Sequence, residues 1–133
     1  MSPAARFAVP VAAILGLLFP VLETLRRGFG AWLEKPVTLL EDYVAGALLL
    51  SAAWTLARQA RGAWVLMLAA AAYTTGMMSS SFWNQLEAQI RGEAWEANQG
   101  LVLVFKAFLW GLPLAVSLMS AKVLAGRSSG SPA

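Results

Sequence analysis

Residues 100–121 read GLVLVFKAFLWGLPLAVSLMSA, 22 consecutive positions with a single ionisable group, Lys106. As a helix rising about 1.5 Å per residue, such a stretch reaches roughly 33 Å and crosses the ~30 Å hydrocarbon core of a bilayer. Gly111-Leu112-Pro113 in its middle predicts a kink, because Pro lacks the N–H that the helix needs there.

Three earlier runs share this character. Phe7–Leu25, FAVPVAAILGLLFPVLETL, is interrupted only by Pro10, Pro20 and Glu23. Arg6 in front of it raises a signal peptide, but the run is nearly long enough to span, and Arg26 and Arg27 follow with no convincing A-x-A site. A retained helix over about 7–26 is expected. Thr38-Leu39-Leu40-Glu41 has the form of a capping box, with Thr38 as N-cap and Glu41 reaching back, and opens a second helix over 38–57. Arg58, Arg61 and Gly62 mark a tight turn into a third helix over 63–81. The fold class expected is therefore all-α: an integral membrane four-helix bundle made of two transmembrane hairpins, in one domain over 1–125.

The connections read differently. Gly28 to Val37, with Gly28, Gly30, Trp32 and Pro36, reads as a loop at the membrane surface. Ser81 to Gln99 is the most polar stretch, carrying Glu87, Arg91, Glu93 and Glu96. Its apolar members Phe82, Trp83, Leu86, Ile90 and Trp95 partly keep helical spacing, which fits a short interfacial helix between the third and fourth spans. The Gly/Ser-rich end GRSSGSPA, 126–133, is expected to be disordered.

Composition agrees with lipid as the solvent. The hydrophobic fraction is 59% and the charged fraction 13%, against roughly a quarter charged in soluble domains; mean hydropathy is +0.63. Four spans leave no room for a second, water-soluble domain. The net charge of +3 comes from scattered basic residues without a basic run, so nucleic acid is not an expected partner. With no Cys and no His, thiol chemistry, zinc sites, bis-histidine haem and His proton relays fall away. Asp42 is the only Asp, which excludes a two-aspartate protease within one chain. No catalytic residue, metal ligand set or cofactor is predicted, and a Ser/Lys pair between the serines near 80 and Lys106 lacks any second sign of an oxyanion hole.

Charge sorting sets orientation. Arg6, Arg58, Arg61, Lys122 and Arg127 fall on the side of the N-terminus, the second connection and the C-terminus, with no acid among them. The other side holds Arg26, Arg27, Lys35, Arg91 and Lys106 together with all seven acids. Because Lys106 lies inside a helix and the 58–61 turn is compact, the positive-inside rule gives both termini in the cytoplasm of a cell membrane, read as a bacterial inner membrane. No internal repeat is visible, so a repeat-built transporter gains no support.

Charges inside a span are costly, which singles out Glu23, Asp42 and Lys106 in the outer half. At 100° per residue Glu23 shares a face with Ala12 and Gly16, Asp42 with Gly46, Leu49 and Ala53, and Lys106 with Trp110, Pro113, Ser117 and Ser120. The three charges either converge on a site for a charged substrate or proton, or lock helix packing with Lys106 snorkelling outward. Ala72, Gly76 and Ser80 recur every fourth position and, like Ala12, Gly16 and Gly46, suit close helix approach. Thr74, Thr75, Ser79, Ser80, Ser81, Asn84 and Gln85 either line a hydrophilic vestibule or back-bond to their own helix. Trp32, Trp54, Trp64, Trp83 and Trp95 are expected as interface anchors. Trp110, nearer mid-membrane, is expected to pack between helices, or against a partner chain or a pigment, quinone-like or lipid ligand.

In length and span count the chain resembles the small multidrug resistance transporters, which also carry a Glu in the first helix. Here Thr24, Leu25, Arg26 and Arg27 follow Glu23 at once, placing it near the helix end, and no family is identified. Two functions are expected from these residues. One is a non-catalytic accessory, scaffold or assembly subunit packing against other membrane subunits or a second copy. The other is a small oligomeric transporter or channel using Glu23, Asp42 and Lys106.

Overall fold

Ser2 opens the first helix: its Oγ accepts from the Ala5 N–H at 3.2 Å, and Pro3 takes the first helical position, where a missing N–H costs nothing. In the computed structural model, which describes residues 1–28, 36–93 and 98–130, the elements are α1 (Pro3–Arg27), α2 (Pro36–Ala57), α3 (Ala63–Ile90) and α4 (Gln99–Ser129). No strand occurs among the described residues. All four helices are long and apolar enough to cross a membrane.

The boundaries differ from expectation for identifiable reasons. α2 begins at Pro36, not Thr38, because Pro is tolerated at the first helical position. Thr38 is therefore helical rather than a cap, and its side chain, like Trp32 and Trp95, lies outside the described residues. α3 continues to Ile90, nine residues past Ser81, so the separate interfacial helix is instead the last part of this one. Ala71, Met78 and Gln85, seven apart, are all buried on one face; the polar stretch keeps the contact face of the span above it, and nothing in it breaks the helix. Gly92, at φ +72°, ends it in the left-handed region. α4 passes through Gly111 and Pro113 and runs on to Ser129, so the first four residues of the expected disordered tail are helical. At about 1.5 Å per residue α3 and α4 reach roughly 42 and 46 Å, well beyond a hydrocarbon core of about 30 Å.

α1 pairs with α2 and α3 with α4, the two hairpins being joined mainly through α2 and α3; of the four neighbouring pairs α1 and α4 meet least. The α1/α2 seam is a backbone contact. A Cβ on Gly46 would lie 2.7 Å from the Gly16 carbonyl oxygen and 2.7 Å from Pro20 Cγ, and a Cβ on Gly16 would lie 2.8 Å from Leu50 Cγ. Pro20 supplies the reason: it has no N–H to give the carbonyl four residues back, and that carbonyl belongs to Gly16. The released oxygen faces the Gly46 Cα, whose hydrogens fill the space a side chain would need.

Within the bundle Ala8, Ala12, Leu15, Leu49, Ala52, Met67, Ala70, Ala71 and Val116 are buried. Large apolar side chains point outward on every helix, among them Leu17, Leu25, Val44, Val65, Phe108 and Leu118. Such an exterior suits lipid and would be a liability in water.

Two sets of assignments need correction. Ala72, Gly76 and Ser80 are exposed, and a Cβ on Gly76 would meet nothing within 4 Å. The face that α3 turns to its neighbours carries Ala70, Ala71 and Thr74 instead, which at 100° per residue lies nearly opposite the small-residue stripe. Trp64 is 4% exposed and belongs to the core, whereas Trp54 and Trp83 remain at the surface. The Arg58 guanidinium lies 4.2 Å above the Trp54 ring, a cation–π contact.

Met1, Ser2, Gln59, Ala60 and Arg127 line one small cavity of about 280 Å³. Both termini and the 58–62 turn thus share one end of the bundle, here called proximal.

Gly46→Ala is expected to lower stability by about 1–3 kcal/mol, the usual result of overpacking. Gly76→Ala should raise it by up to about 1 kcal/mol through helix propensity. Thermal unfolding of both variants in mild detergent checks the contrast.

Candidate functional site

At the distal end the two hairpins stand apart and leave a partly open cavity of about 660 Å³. All four helices contribute. The last turns of α1 supply Phe19, Leu22, Glu23 and Arg26, and the start of α2 supplies Glu41 and Asp42. Met77, Met78, Ser80 and Ser81 come from α3, and Leu101, Val102, Phe105, Lys106 and Leu109 from α4. A mostly apolar concavity of this size with a few converging polar groups is what small-molecule sites look like.

Each polar group is placed by packing already described. Asp42 lies one turn before Gly46, so the close approach of α1 and α2 draws it in to 9% exposure. The same approach ties the next residue across the seam, with Thr24 Oγ1 and the Tyr43 hydroxyl 2.6 Å apart. Thr24 gives its only proton to the Pro20 carbonyl at 2.7 Å, so Tyr43 is the donor in that pair. Arg26 Nη1 lies 3.4 Å from Glu23 Oε1, an i,i+3 ion pair on α1. Across the cavity Lys106 Nζ donates to Gln85 Oε1 at 3.1 Å. Gln85 is 1% exposed, and its Nε2 is buried with no hydrogen-bond partner among the described residues.

Glu23, Asp42 and Lys106, singled out from the sequence as costly charges, therefore line one cavity. Ala12 and Gly16 share their helix with Glu23 and are buried, as is Gly46 below Asp42. Gln85 was legible only as part of a polar vestibule. The signal that would have singled it out is its seven-residue step from Met78, which carries the buried face of α3 past the end of the apolar run. Of the hydroxyls in that run, Thr74, Thr75 and Ser79 turn back to the carbonyls of Ala70, Ala71 and Thr75 at 2.7–2.8 Å. Only Ser80 and Ser81 reach the cavity.

Trp110 is held by α3. Its ring stacks on Phe82 at 5.0 Å and 10°, Trp83 meets it edge-on at 5.4 Å, and its Nε1–H donates to Ser79 Oγ at 3.1 Å. Among the described residues no three His, Cys, Asp or Glu side chains come together as a metal site.

Comparison of the chain with family models, curated proteins and solved structures returns no match.

Removing the Gln85–Lys106 hydrogen bond isolates its worth. In a double-mutant cycle of Gln85→Leu and Lys106→Met, unfolding in detergent should give a coupling of about 1–2 kcal/mol, as for a charge-assisted bond across membrane helices. Strict additivity of the two single effects would count against the contact.

Proposed function

We propose that this chain is a non-catalytic, multi-pass integral membrane protein that binds at its distal cavity and serves a larger membrane assembly as an accessory subunit. The observation that carries this reading is how the cavity ends. Below it Leu49, Met67, Ala70, Ala71 and Val116 are at or near zero exposure, and only beyond that layer does the small proximal cavity begin. A path closed by interlocked side chains favours holding over conducting.

The Ala72/Gly76 stripe supports the subunit role. It is a close-approach face on α3 that none of the described helices uses, which leaves it for a helix of a partner. In this reading the proximal end, with exposed Arg6, Arg58, Arg61, Lys122 and Arg127, faces the cytoplasm of a bacterial inner membrane, and the acidic cavity end faces out.

One feature favours the other reading, a small oligomeric transporter using Glu23, Asp42 and Lys106. α1 and α4 meet so little that the two hairpins could rock about the α2/α3 interface.

Purification from native membrane in mild detergent, followed by native mass spectrometry, separates the two. A stoichiometric larger assembly that Gly76→Leu releases, while helix content is kept, is the expected result. A lone monomer or homodimer, with solute flux in proteoliposomes that neutralising Lys106 abolishes, would replace the subunit by the transporter.

A further inference from the structure

The two ends of the bundle differ in how their charges are answered. At the distal end bases stand beside acids, Arg26 with Glu23 and Arg91 with Glu87. At the proximal end Arg6 of α1, Arg58 and Arg61 of the turn after α2, and Lys122 and Arg127 of α4 are all exposed. Residues 1–22, 43–86 and 97–133, which include the proximal half of every helix, contain no Asp or Glu. Among the described residues none of these bases has an acid partner. Like charges gathered at one end repel one another, and anions supplied from outside the chain relieve that repulsion.

The depth of these bases says what kind of anion meets them. Trp54, in the last turn of α2, is 61% exposed, and an exposed indole at the end of a span sits among lipid headgroups. The Arg58 guanidinium lies 4.2 Å over its ring. That contact uses the face of the guanidinium and leaves its N–H edge, which fits a phosphate through two parallel hydrogen bonds. Lys122 and Arg127 belong to the last two turns of α4, a helix longer than a bilayer core. Arg127 also lines the proximal cavity of about 280 Å³ with Ser2 and Gln59. Both can donate there: Ser2 Oγ accepts from the Ala5 N–H and keeps its own proton, and the Gln59 amide has two.

We infer that the proximal end docks anionic phospholipid, with one phosphate on the Arg58 edge beside Trp54 and another at Arg127 in the cavity. Arg6, Arg61 and Lys122 add charge around them. The headgroup is selected by the lack of acids at this end among the described residues. A zwitterionic lipid brings an ammonium that meets only bases here, whereas phosphatidylglycerol brings its phosphate alone. The inference rests on the membrane-embedded reading, and it agrees with the orientation proposed above, because cytoplasmic leaflets carry the anionic lipid.

To test it, the full chain is reconstituted into phosphatidylcholine vesicles holding a trace of spin-labelled phosphatidylglycerol, phosphatidylethanolamine or phosphatidylcholine. Electron spin resonance reads the share of each label immobilised on the protein. Both leaflets carry label, so the direction of insertion does not matter. Phosphatidylglycerol is expected to associate about fivefold more strongly than either zwitterionic lipid, the worth of one basic residue near an anionic surface. The preference should fade with salt, since screening shortens to about 3 Å at 1 M. Arg58→Gln combined with Arg127→Gln, both at exposed positions, should remove most of it, and Arg58→Lys, which keeps the charge without the fork, only part. Glu87→Gln combined with Arg91→Gln, at the distal end, should leave it unchanged.

Equal association of the three lipids, or a preference that survives Arg58→Gln with Arg127→Gln at unchanged helix content, overturns the assignment. Loss of the preference on adding inorganic phosphate or polyglutamate at constant ionic strength overturns lipid as the occupant, in favour of a soluble phosphate or an acidic protein. A chain that does not enter vesicles fails the membrane reading itself; one that enters and immobilises all three lipids equally fails only this assignment.

Discussion

The architecture depends on one backbone contact, Gly16 of α1 against Gly46 of α2. Lipid tails are as apolar as leucine, so helices in a bilayer gain little by hiding apolar side chains from it. They associate where backbones approach closely enough for dense packing. Here the approach is made possible from both sides: neither glycine has a side chain to hold the helices apart, and Pro20 leaves the Gly16 carbonyl without its helical N–H. A Cβ on Gly46 would stand 2.7 Å from that oxygen. With the seam fixed there, the next turn toward the distal end follows, placing Tyr43 on Thr24 and burying Asp42.

Tightness in one place leaves room in another. The middle of the bundle is filled by small residues, Ala8, Ala12, Ala52, Ala70 and Ala71, which let the helices close up. Toward the distal end the hairpins separate, and the space between them receives the charged and long side chains that the packed middle could not hold. Asp42 and Lys106 thus share a cavity lined by all four helices, in a bundle whose α1 and α4 meet little. Charges inside a membrane are rare because they are expensive, and this arrangement places them where a cavity and neighbouring polar groups offset that cost.

The α3/α4 hairpin works by different means. Its helices are longer than a bilayer core, and Trp110 with Phe82 and Trp83, and Lys106 with Gln85, fasten them toward the distal end. Aromatic stacking and hydrogen bonds here take the place that glycines hold in the other hairpin. A backbone contact allows almost no slack, whereas side-chain contacts tolerate small shifts; α1/α2 is accordingly the fixed half.

By itself the sequence determined the number of apolar spans, the turn at 58–62 and the three charges worth following. These depend on hydropathy, on length and on Pro and Gly at helix ends, which are properties of neighbouring residues along the chain. It also placed Asp42 on the Gly46 face and Lys106 on the Ser117/Ser120 face, since a helix fixes such angles without outside help. Only the tertiary structure decided which small residues meet. Gly16 and Gly46 form a seam while Ala72 and Gly76 look outward, though both sets have the spacing that close packing asks for. Trp64 in the core, Gln85 beside Lys106 and the length of α3 were likewise decided by where neighbouring helices lie. Periodicity gives the angle of a side chain about its own axis; what stands at that angle is set by the packing of helices far apart in sequence.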